Sequence, residues 1–157
     1  MHVLDLGCGN GDLTREIASH VDRVVGVDHD RSSIDHAKTK HIAANLSFIH
    51  ADAHSYLTTR TGSFDTLVLS HVLEHLDHPK DFLMRFKSFF QWVYIEVPDF
   101  DKTYLNHYRK ALASPLIHTD DDHVSEFDRE ELVHILQEAG LTVIDADYRF
   151  GVQRVWC

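Results

Sequence analysis

The chain has 157 residues, of which 43% are hydrophobic and 25% are charged, with seven glycines, three prolines and two cysteines. A chain of this size can bury a core without disulfides or a structural metal, which predicts one domain over residues 1–157. Collagen-like, disordered and coiled-coil classes are excluded. The 25 acidic and 15 basic residues give a net charge of −10, which disfavours broad binding to nucleic acid.

Two features of the sequence bear on where the protein is found. Cys8 and Cys157 cannot form the disulfide framework of a secreted domain. No apolar run approaches the roughly 20 residues that span a bilayer, and the first residues, MHVLDLGCG, lack the pattern of a signal peptide. The sequence therefore predicts a cytoplasmic protein that is not inserted in a membrane.

Strands and helices are predicted to alternate through the first half of the chain. The apolar stretch His2–Leu6 ends at a glycine cluster, and a helical pattern follows over Asp12–Ser19. The β-branched run Arg23–Val27 precedes a second helical pattern. Leu46–His50 and Phe64–Ser70 are predicted as the third and fourth strands, the latter with an apolar centre that suits a strand covered on both faces.

The next elements are one helix and one strand. Pro79 is well placed in the first turn of a helix, and a stripe on this helix is predicted to pack against the sheet. The stripe consists of Phe82, Phe86, Phe89 and Phe90. Gln91–Val97 is predicted as the fifth strand, stopped by Pro98.

The chain after Pro98 has no clear period until Asp128. There Asp128 and Glu131 have the spacing of a capping box, and Gly140 marks the end of the helix. Leu141–Tyr148 is predicted as the sixth strand and Val152–Trp156 as a short seventh.

Alternating strands and helices predict an α/β fold with a doubly wound, mostly parallel sheet, in which the seventh strand is short or missing. Ligands bind such sheets at the carboxyl ends of the strands. The unusual clusters of this sequence follow strands, namely Gly7–Gly11, Asp28–Asp30, Asp52-Ala53, Ser70–His75 and the residues from Pro98 onward.

The loop Gly7-Cys8-Gly9-Asn10-Gly11 joins the first strand to the first helix. Its glycines allow a ligand to approach the backbone closely, next to the amides of a helix N-terminus. A dinucleotide-binding fingerprint requires glycine at position 12, where this chain has Asp12. The loop is therefore predicted to bind a ligand without phosphates.

Two acidic residues at strand ends extend this prediction. Asp28 ends the second strand nineteen residues after Gly9, where a carboxylate accepts both hydroxyls of a ribose. Asp52, with Ala53, follows the third strand and is suited either to an adenine amino group or to capping a helix. The glycine loop and the Asp28 carboxylate together predict an adenosine-type ligand.

At this point the sequence resembles the class I S-adenosylmethionine-dependent methyltransferases. The matching segments follow the family order across almost the whole chain. They are VLDLGCGNGDLT (Val3–Thr14), VVGVDHD (Val24–Asp30), FIHADA (Phe48–Ala53), FDTLVLSHVLEHLDHP (Phe64–Pro79) and EFDREELVHILQEAGLTV (Glu126–Val143).

The resemblance implies a Rossmann-like methyltransferase fold with an antiparallel last strand, S-adenosylmethionine as cofactor, and a site residue set. Asp5 and the loop residues Gly7, Cys8 and Gly9 would border the methionine part of the cofactor. Asp28 would bind the ribose, His29 would flank the adenine, Asp52 and Ala53 would contact its amino edge, and Ser70 with His71 would lie beneath the sulfonium.

The acceptor is predicted to be a small molecule, with oxygen favoured over nitrogen as the nucleophile. A base is needed only if the acceptor is protonated at working pH, and histidine is then the usual choice. His123 and His71 are the candidate catalytic residues, with His75 and His118 considered beside them. No residue is assigned as a metal ligand. Because the chain begins at its first strand, Pro98–Val124 is expected to cover the cofactor, with a second subunit in a homo-oligomer helping.

Three alternatives stay open. A metal-assisted RNA terminal 2′-O-methyltransferase resembles the chain at Glu74-His75 and His123, but that family has a glutamate in place of His71 and the chain lacks basic character. A non-catalytic partner subunit that holds the cofactor is the second. The third, a nicotinamide-dependent oxidoreductase, is disfavoured by Asp12.

Overall fold

The computed structural model describes residues 1–59, 63–114 and 120–157. The strands within these ranges are β1 (His2–Leu6), β2 (Arg23–Asp28), β3 (Leu46–His50), β4 (Thr66–Ser70), β5 (Trp92–Pro98), β6 (Asp145–Asp147) and β7 (Val152–Trp156). The α-helices within them are α1 (Asp12–Ala18), α2 (Arg31–Lys40), α3 (Ala53–Thr59), α4 (Pro79–Phe86), α5 (Tyr104–Leu112) and α6 (Arg129–Glu138). None of these helices combines the length and the apolar character that crossing a bilayer requires.

The strands form a seven-stranded sheet in the order β3-β2-β1-β4-β5-β7-β6. Strand β1 pairs in parallel with β2 and with β4, and β2 pairs in parallel with β3. Strand β7 is antiparallel to both β5 and β6. The mostly parallel, doubly wound sheet is confirmed, and the seventh strand, which the sequence left in doubt, is a full five residues long.

The residues fall into two compact units, and unit 1 comprises Met1–Ser70 and Ser88–Val93. Its core is aliphatic. Strands β1, β2 and β4 are buried over nearly their whole length, as expected of parallel strands covered on both faces. A satellite cluster joins Ile34 and Ala37 of α2 to Phe48 of β3.

Unit 2 comprises His71–Lys87 and Tyr94–Cys157 and combines apolar packing with buried polar links. Arg109 of α5 reaches α6, where its guanidinium donates to Glu131 at 2.7 Å and to Asp128 at 3.4 Å. The same guanidinium lies over the Phe100 ring, 4.7 Å from its centroid. The fully buried Gln153 of β7 donates to the carbonyl oxygen of Phe127 at 2.6 Å.

The capping box on α6 is confirmed, because the Asp128 side chain accepts from the Glu131 amide while the Glu131 side chain accepts from the Asp128 amide. Gly140 follows the helix with φ +73°, as a C-terminal stop requires. These local signals act within a few residues, which is why the sequence alone sufficed to predict them.

Three sequence predictions need correction. The phenylalanine stripe on α4 is only partly buried, since Phe86 is enclosed but Phe89 is 44% exposed after the helix has ended. The sixth strand is three residues long and not the eight of Leu141–Tyr148. The stretch after Pro98 contains helix α5, which the sequence analysis did not predict although Tyr104, Tyr108 and Leu112 have helical spacing.

Candidate functional site

The glycine loop of unit 1 folds back on the end of β2. Gly7, Gly9 and Gly11 have φ values of +73°, +50° and +78°, which lie in the left-handed region that favours glycine. The amides of Gly7 and Cys8 both donate to the carbonyl oxygen of Val27, at 2.8 and 3.1 Å. The loop is thus a defined backbone cradle at the carboxyl ends of β1 and β2.

The Asp28 carboxylate ties the glycine loop to the segment that follows β2. Its Oδ2 accepts from the Gly9 amide at 2.8 Å, and its Oδ1 accepts from the Asp30 amide at 2.8 Å. The side chain of its neighbour His29 is exposed, with Nδ1 3.4 Å from the same Oδ1. A carboxylate oxygen has two lone pairs, so each oxygen of Asp28 retains the capacity to accept a hydroxyl.

Close packing beneath the loop requires glycine at position 11. A Cβ on Gly11 would lie 2.6 Å from the Phe48 ring and 3.0 Å from the Ala37 Cβ. The Cys8 side chain packs against the same cluster of Ile34, Ala37 and Phe48, and burial raises the pKa of its thiol to about 12. The Cys8 thiol therefore carries no charge at neutral pH.

Asp5 of β1 lies beneath the loop and is buried. Its Oδ2 accepts from the Thr14 hydroxyl at 2.6 Å. Burial raises the pKa of Asp5 to about 7 although the Thr14 hydrogen bond acts in the opposite direction. A carboxyl of this kind changes its charge near neutral pH.

The remaining predicted cofactor residues follow β3 and β4 of unit 1. Asp52 caps α3, because its Oδ1 accepts from the Ser55 amide at 2.8 Å, and this bond lowers its pKa. Ala53 is the first residue of α3, and Ser70 is the half-buried last residue of β4. The helix-capping interpretation of Asp52 is confirmed, and its contact with adenine stays a prediction.

In unit 2, His71 begins a polar cluster. It has φ +54°, a strained conformation for a residue with a side chain. Its Nδ1 lies 3.1 Å from Oε1 of Glu74 and its Nε2 3.6 Å from Oε1 of Glu96. The hydrogen bond with Glu74 raises the pKa of the His71 imidazole. Arg154 donates to Oε2 of Glu96 at 2.6 Å.

His123, the first candidate base, lies in a second polar group of unit 2. Its Nδ1 is 2.8 Å from Oε1 of the buried Glu126. Its ring packs edge-on against that of His75, with 5.1 Å between centroids. One ligand atom each from Glu74, His75 and His123 lie within 4.8 Å of one another. The other candidate, His118, falls outside the described residues.

The sequence interpretation missed the acidic partners of these histidines. His71-Val72-Leu73-Glu74 and His123-Val124-Ser125-Glu126 repeat one pattern, a histidine followed three residues later by glutamate. In both segments the glutamate is buried and its Oε1 contacts the histidine Nδ1. The repeated spacing is the signal in the sequence that could have identified them.

Solved structures share this fold. The DhpI–SAM–HEP complex matches 99% of this chain and 77% of its own with a TM-score of 0.76 at 21% identity. Magnesium protoporphyrin IX methyltransferase from Synechocystis PCC 6803, with bound SAH, matches 98% of this chain and 72% of its own with a TM-score of 0.71 at 17% identity. A SAM dependent methyltransferase from Archaeoglobus fulgidus matches 93% of this chain and 62% of its own, with a TM-score of 0.67 at 26% identity.

Curated relatives match half of the chain. Ubiquinone biosynthesis O-methyltransferase of Coxiella burnetii is 37% identical over 81 residues, which are 50% of this chain and 34% of the relative. The match thus spans about a third of that relative's length. An uncharacterized methyltransferase of Mycobacterium tuberculosis is 32% identical over 83 residues, 53% of this chain and 42% of the relative. Residues 1–146 match the family described as methyltransferase domain, and the chain therefore belongs to that family.

Proposed function

We propose that the protein is an S-adenosylmethionine-dependent methyltransferase that acts on a small-molecule acceptor. The observation that supports this most directly is the bond between the Gly9 amide and Asp28, which fixes a glycine cradle against a strand-end carboxylate. Membership of the methyltransferase domain family and the SAM- or SAH-bound structures of similar fold support the same cofactor.

The residues of unit 1 fit this cofactor chemically. Asp28 would bind the ribose hydroxyls, because both of its oxygens are fixed by amides and keep acceptor capacity. A Cβ added at Gly9 would meet no atom within 4 Å, so open space adjoins the cradle there. His29, Asp52 and Ala53 are proposed to contact the adenine, and Asp5, Gly7, Cys8 and Ser70 to border the methionine part.

When bound, S-adenosylmethionine supplies a methyl group on a positively charged sulfur. The chain's own task is to bind and orient its ligands and to exclude water, and orientation of this kind contributes roughly 7–11 kcal/mol to lowering a barrier. An uncharged acceptor hydroxyl also needs a residue that takes its proton.

We propose His71 as that residue. It directly follows β4, its side chain is about half exposed, and two carboxylates hold its ring. His123, the other candidate, is nearly enclosed and tied to Glu126. An oxygen acceptor agrees with the similarity to the ubiquinone biosynthesis O-methyltransferase of Coxiella burnetii.

The first test is titration calorimetry of the full chain with S-adenosylmethionine and with S-adenosylhomocysteine, using NADH as the control. Micromolar binding of both adenosyl ligands and none of NADH is expected. A folded chain that binds neither would contradict the proposal and would favour the partner-subunit alternative.

The second test addresses methyl transfer. Formation of S-adenosylhomocysteine is measured with a panel of phenols, carboxylic acids and amines, in wild type and in H71Q. Turnover of a phenol or acid with a strong decrease in H71Q is expected. Turnover confined to amines would overturn the preference for oxygen.

A further inference from the structure

Phe150 is an unfavourable residue for the place that it occupies in unit 2. It lies at the tip of the turn that joins β6 to β7, where the Val152 amide donates to the Arg149 carbonyl oxygen at 3.3 Å. Phe150 and Gly151 have φ values of +59° and +76°. Turns with positive φ at both central residues favour asparagine, aspartate and glycine, and a bulky residue there is sterically unfavourable. Phe150 is also 89% exposed, so packing against the described residues does not explain it.

The backbone that carries Phe150 is held in place from the end of β5. The Asp99 amide donates to the Gly151 carbonyl oxygen at 2.8 Å. The buried Asp99 carboxylate pairs with Arg129 at 2.7 Å, and the Arg129 guanidinium lies over the Tyr148 ring, 4.3 Å from its centroid. A ring on a fixed backbone loses little conformational freedom when it binds a ligand, which is the property of an aromatic anchor residue.

The tip of the turn lies at the carboxyl end of β5. Strand β7 is antiparallel to β5, with Val152 opposite Pro98, so β7 begins where β5 ends. The His71 amide donates to the Glu96 carbonyl oxygen at 2.8 Å, close to the same end of β5. His71 and Phe150 therefore flank the carboxyl end of one strand, and ligands of such sheets bind at this end of the strands.

Exposed aromatic residues are concentrated after this strand end. Tyr104 and Tyr108 of α5 are 71% and 57% exposed, and their rings pack edge-on with 6.0 Å between centroids. Helix α5 follows β5 through the short 3₁₀ turn Phe100–Lys102. In the described part of the chain, these two tyrosines and Phe150 are the phenylalanine, tyrosine and tryptophan residues that are more than half exposed. Their placement favours a ligand with an apolar, planar part.

We infer that Phe150 binds the apolar part of the methyl acceptor and thereby sets the size of acceptor that the protein accepts. The inference rests on the proposed function, because it takes His71 as the residue beside the oxygen that is methylated. Glu96 and Asp99 are three residues apart, which is about 10 Å of extended chain, and neighbouring strands are about 4.8 Å apart, so the backbones of His71 and Phe150 are roughly 15 Å apart.

This separation defines the class of acceptor. The imidazole of His71 and the ring of Phe150 cover part of the distance, but a single phenol ring is too short to contact both side chains. The acceptor is therefore a hydroxyl compound that carries a second ring or an apolar chain on the side away from the hydroxyl. A strained, exposed phenylalanine is retained in the turn because this ring supplies the contact to that second group.

The test compares a short and a long acceptor, phenol and 4-phenylphenol, with the full chain. F150N removes the ring and introduces a residue that tolerates the turn conformation, whereas F150Y keeps a ring. In F150N the KM for 4-phenylphenol should rise at least about 10-fold while its kcat stays near that of wild type. The kcat/KM for phenol should not change. F150Y should match wild type with both acceptors.

Stability gives a second readout for the same variants. The melting temperature of F150N should equal or exceed that of wild type, because asparagine relieves the strain at φ +59° and no packed side chain is lost. The matched control is W92T, since Trp92 is also a partly exposed aromatic residue but begins β5 at its amino end. W92T should leave the KM for 4-phenylphenol unchanged.

An unchanged KM for 4-phenylphenol in F150N would overturn the inference and leave the proposed function intact. The same holds if F150N instead abolishes self-association in sedimentation velocity, which would assign the ring to a contact between copies of the chain. Absence of methyl transfer to either phenol contradicts the proposed function, and calorimetry of 4-phenylphenol with the chain saturated in S-adenosylhomocysteine then decides. Weaker binding in F150N supports the role of Phe150, whereas equal binding, or none to wild type, overturns it.

Discussion

Units 1 and 2 build their functional groups in different ways. In unit 1 the cradle is backbone, formed by three glycines of one loop and fixed by Asp28. In unit 2 the functional groups are side chains from segments almost fifty residues apart, and one of them, Glu74, has a buried oxygen without a hydrogen-bond partner in the described part of the chain. A site built from one loop leaves a contiguous motif in the sequence, whereas a site assembled from distant side chains leaves only scattered residues.

The largest expected effect is on ligand binding at Asp28. Asp28→Ala removes an acceptor for two ribose hydroxyls, and bonds to charged groups contribute about 1.5–3 kcal/mol each, so affinity for S-adenosylhomocysteine should fall roughly 100-fold or more. Calorimetry measures the change. The variant also loses the bonds from the Gly9 and Asp30 amides, so its melting temperature should fall.

Asp30→Ala is the matched control. It removes the cap of α2, where Asp30 accepts from the Ser32 and Ser33 amides, and should cost about 0.5–2 kcal/mol of stability while leaving ligand affinity near that of wild type. Equal loss of affinity in both variants would mean that the loop responds to general destabilisation and that Asp28 has no specific role.

The second effect concerns pH. The pKa of Asp5 rises to about 7 in the folded state from 3.8, so the folded protein binds a proton more tightly than the unfolded chain. The stabilising contribution is fully present below pH 3.8 and is lost as pH rises through 7. Asp5→Asn cannot ionise, so it should avoid this loss. Above neutral pH the free energy of unfolding that wild type has lost through Asp5 is on the order of 4 kcal/mol.

Thermal melts of wild type and D5N at several pH values between 4 and 8 test this. The melting temperature of D5N relative to that of wild type should increase as pH rises. A constant difference between the two proteins would show that Asp5 titrates normally and that burial does not dominate its pKa.

The third effect is on the free energy of unfolding, at two glycines with nearly the same backbone conformation. Gly11 in unit 1 and Gly151 in unit 2 have φ of +78° and +76°, but a Cβ meets the Phe48 ring only at Gly11. Gly151→Ala should cost about 1–2 kcal/mol for the conformation. Gly11→Ala should cost about 1–3 kcal/mol more for overpacking, as measured by denaturant unfolding. Equal costs would show that Phe48 moves aside freely.

The smallest effect is in the polar network of unit 2. Arg109→Lys keeps the charge but loses the fork that contacts Glu131 and Asp128, so a loss of about 1–2 kcal/mol in unfolding free energy is expected. Arg149→Lys, at an exposed pair with Asp147, should change stability by less than about 0.5 kcal/mol. Equal values for both would mean that the buried network adds nothing beyond a surface pair.

The parts of the fold that were predictable from sequence are those with local signals. Strand β1 was predicted at its observed bounds because its apolar residues are all buried. Helix α5 was not predicted, although Tyr104, Tyr108 and Leu112 have helical spacing, and in the structure all three side chains are exposed. Strand β6 was overextended because the apolar residues before Asp145 do not pair in the sheet.

In the candidate site, too, the residues with a local sequence signal were predictable and those brought together by long-range contacts were not. The glycine loop and Asp28 could be assigned from spacing, because the residues that matter lie within one strand–loop–helix segment and the next strand end. The proximity of His75 to His123 depends on backbone bonds to the Glu74 carbonyl across the fold, and no local pattern encodes those bonds. The repeated histidine–glutamate spacing identifies the partners but not their convergence.

The surroundings of the two cysteines, Cys157 buried and Cys8 half-buried, have a practical consequence for spectroscopy. Burial raises the pKa of Cys8 to about 12 and that of Cys157 to about 11. The thiolate is the form that reacts with maleimides, so both native cysteines are expected to react more slowly with a dye at neutral pH than an exposed cysteine does. A single cysteine introduced at the exposed Tyr108 of α5 is therefore expected to take up a fluorophore in preference to Cys8 and Cys157.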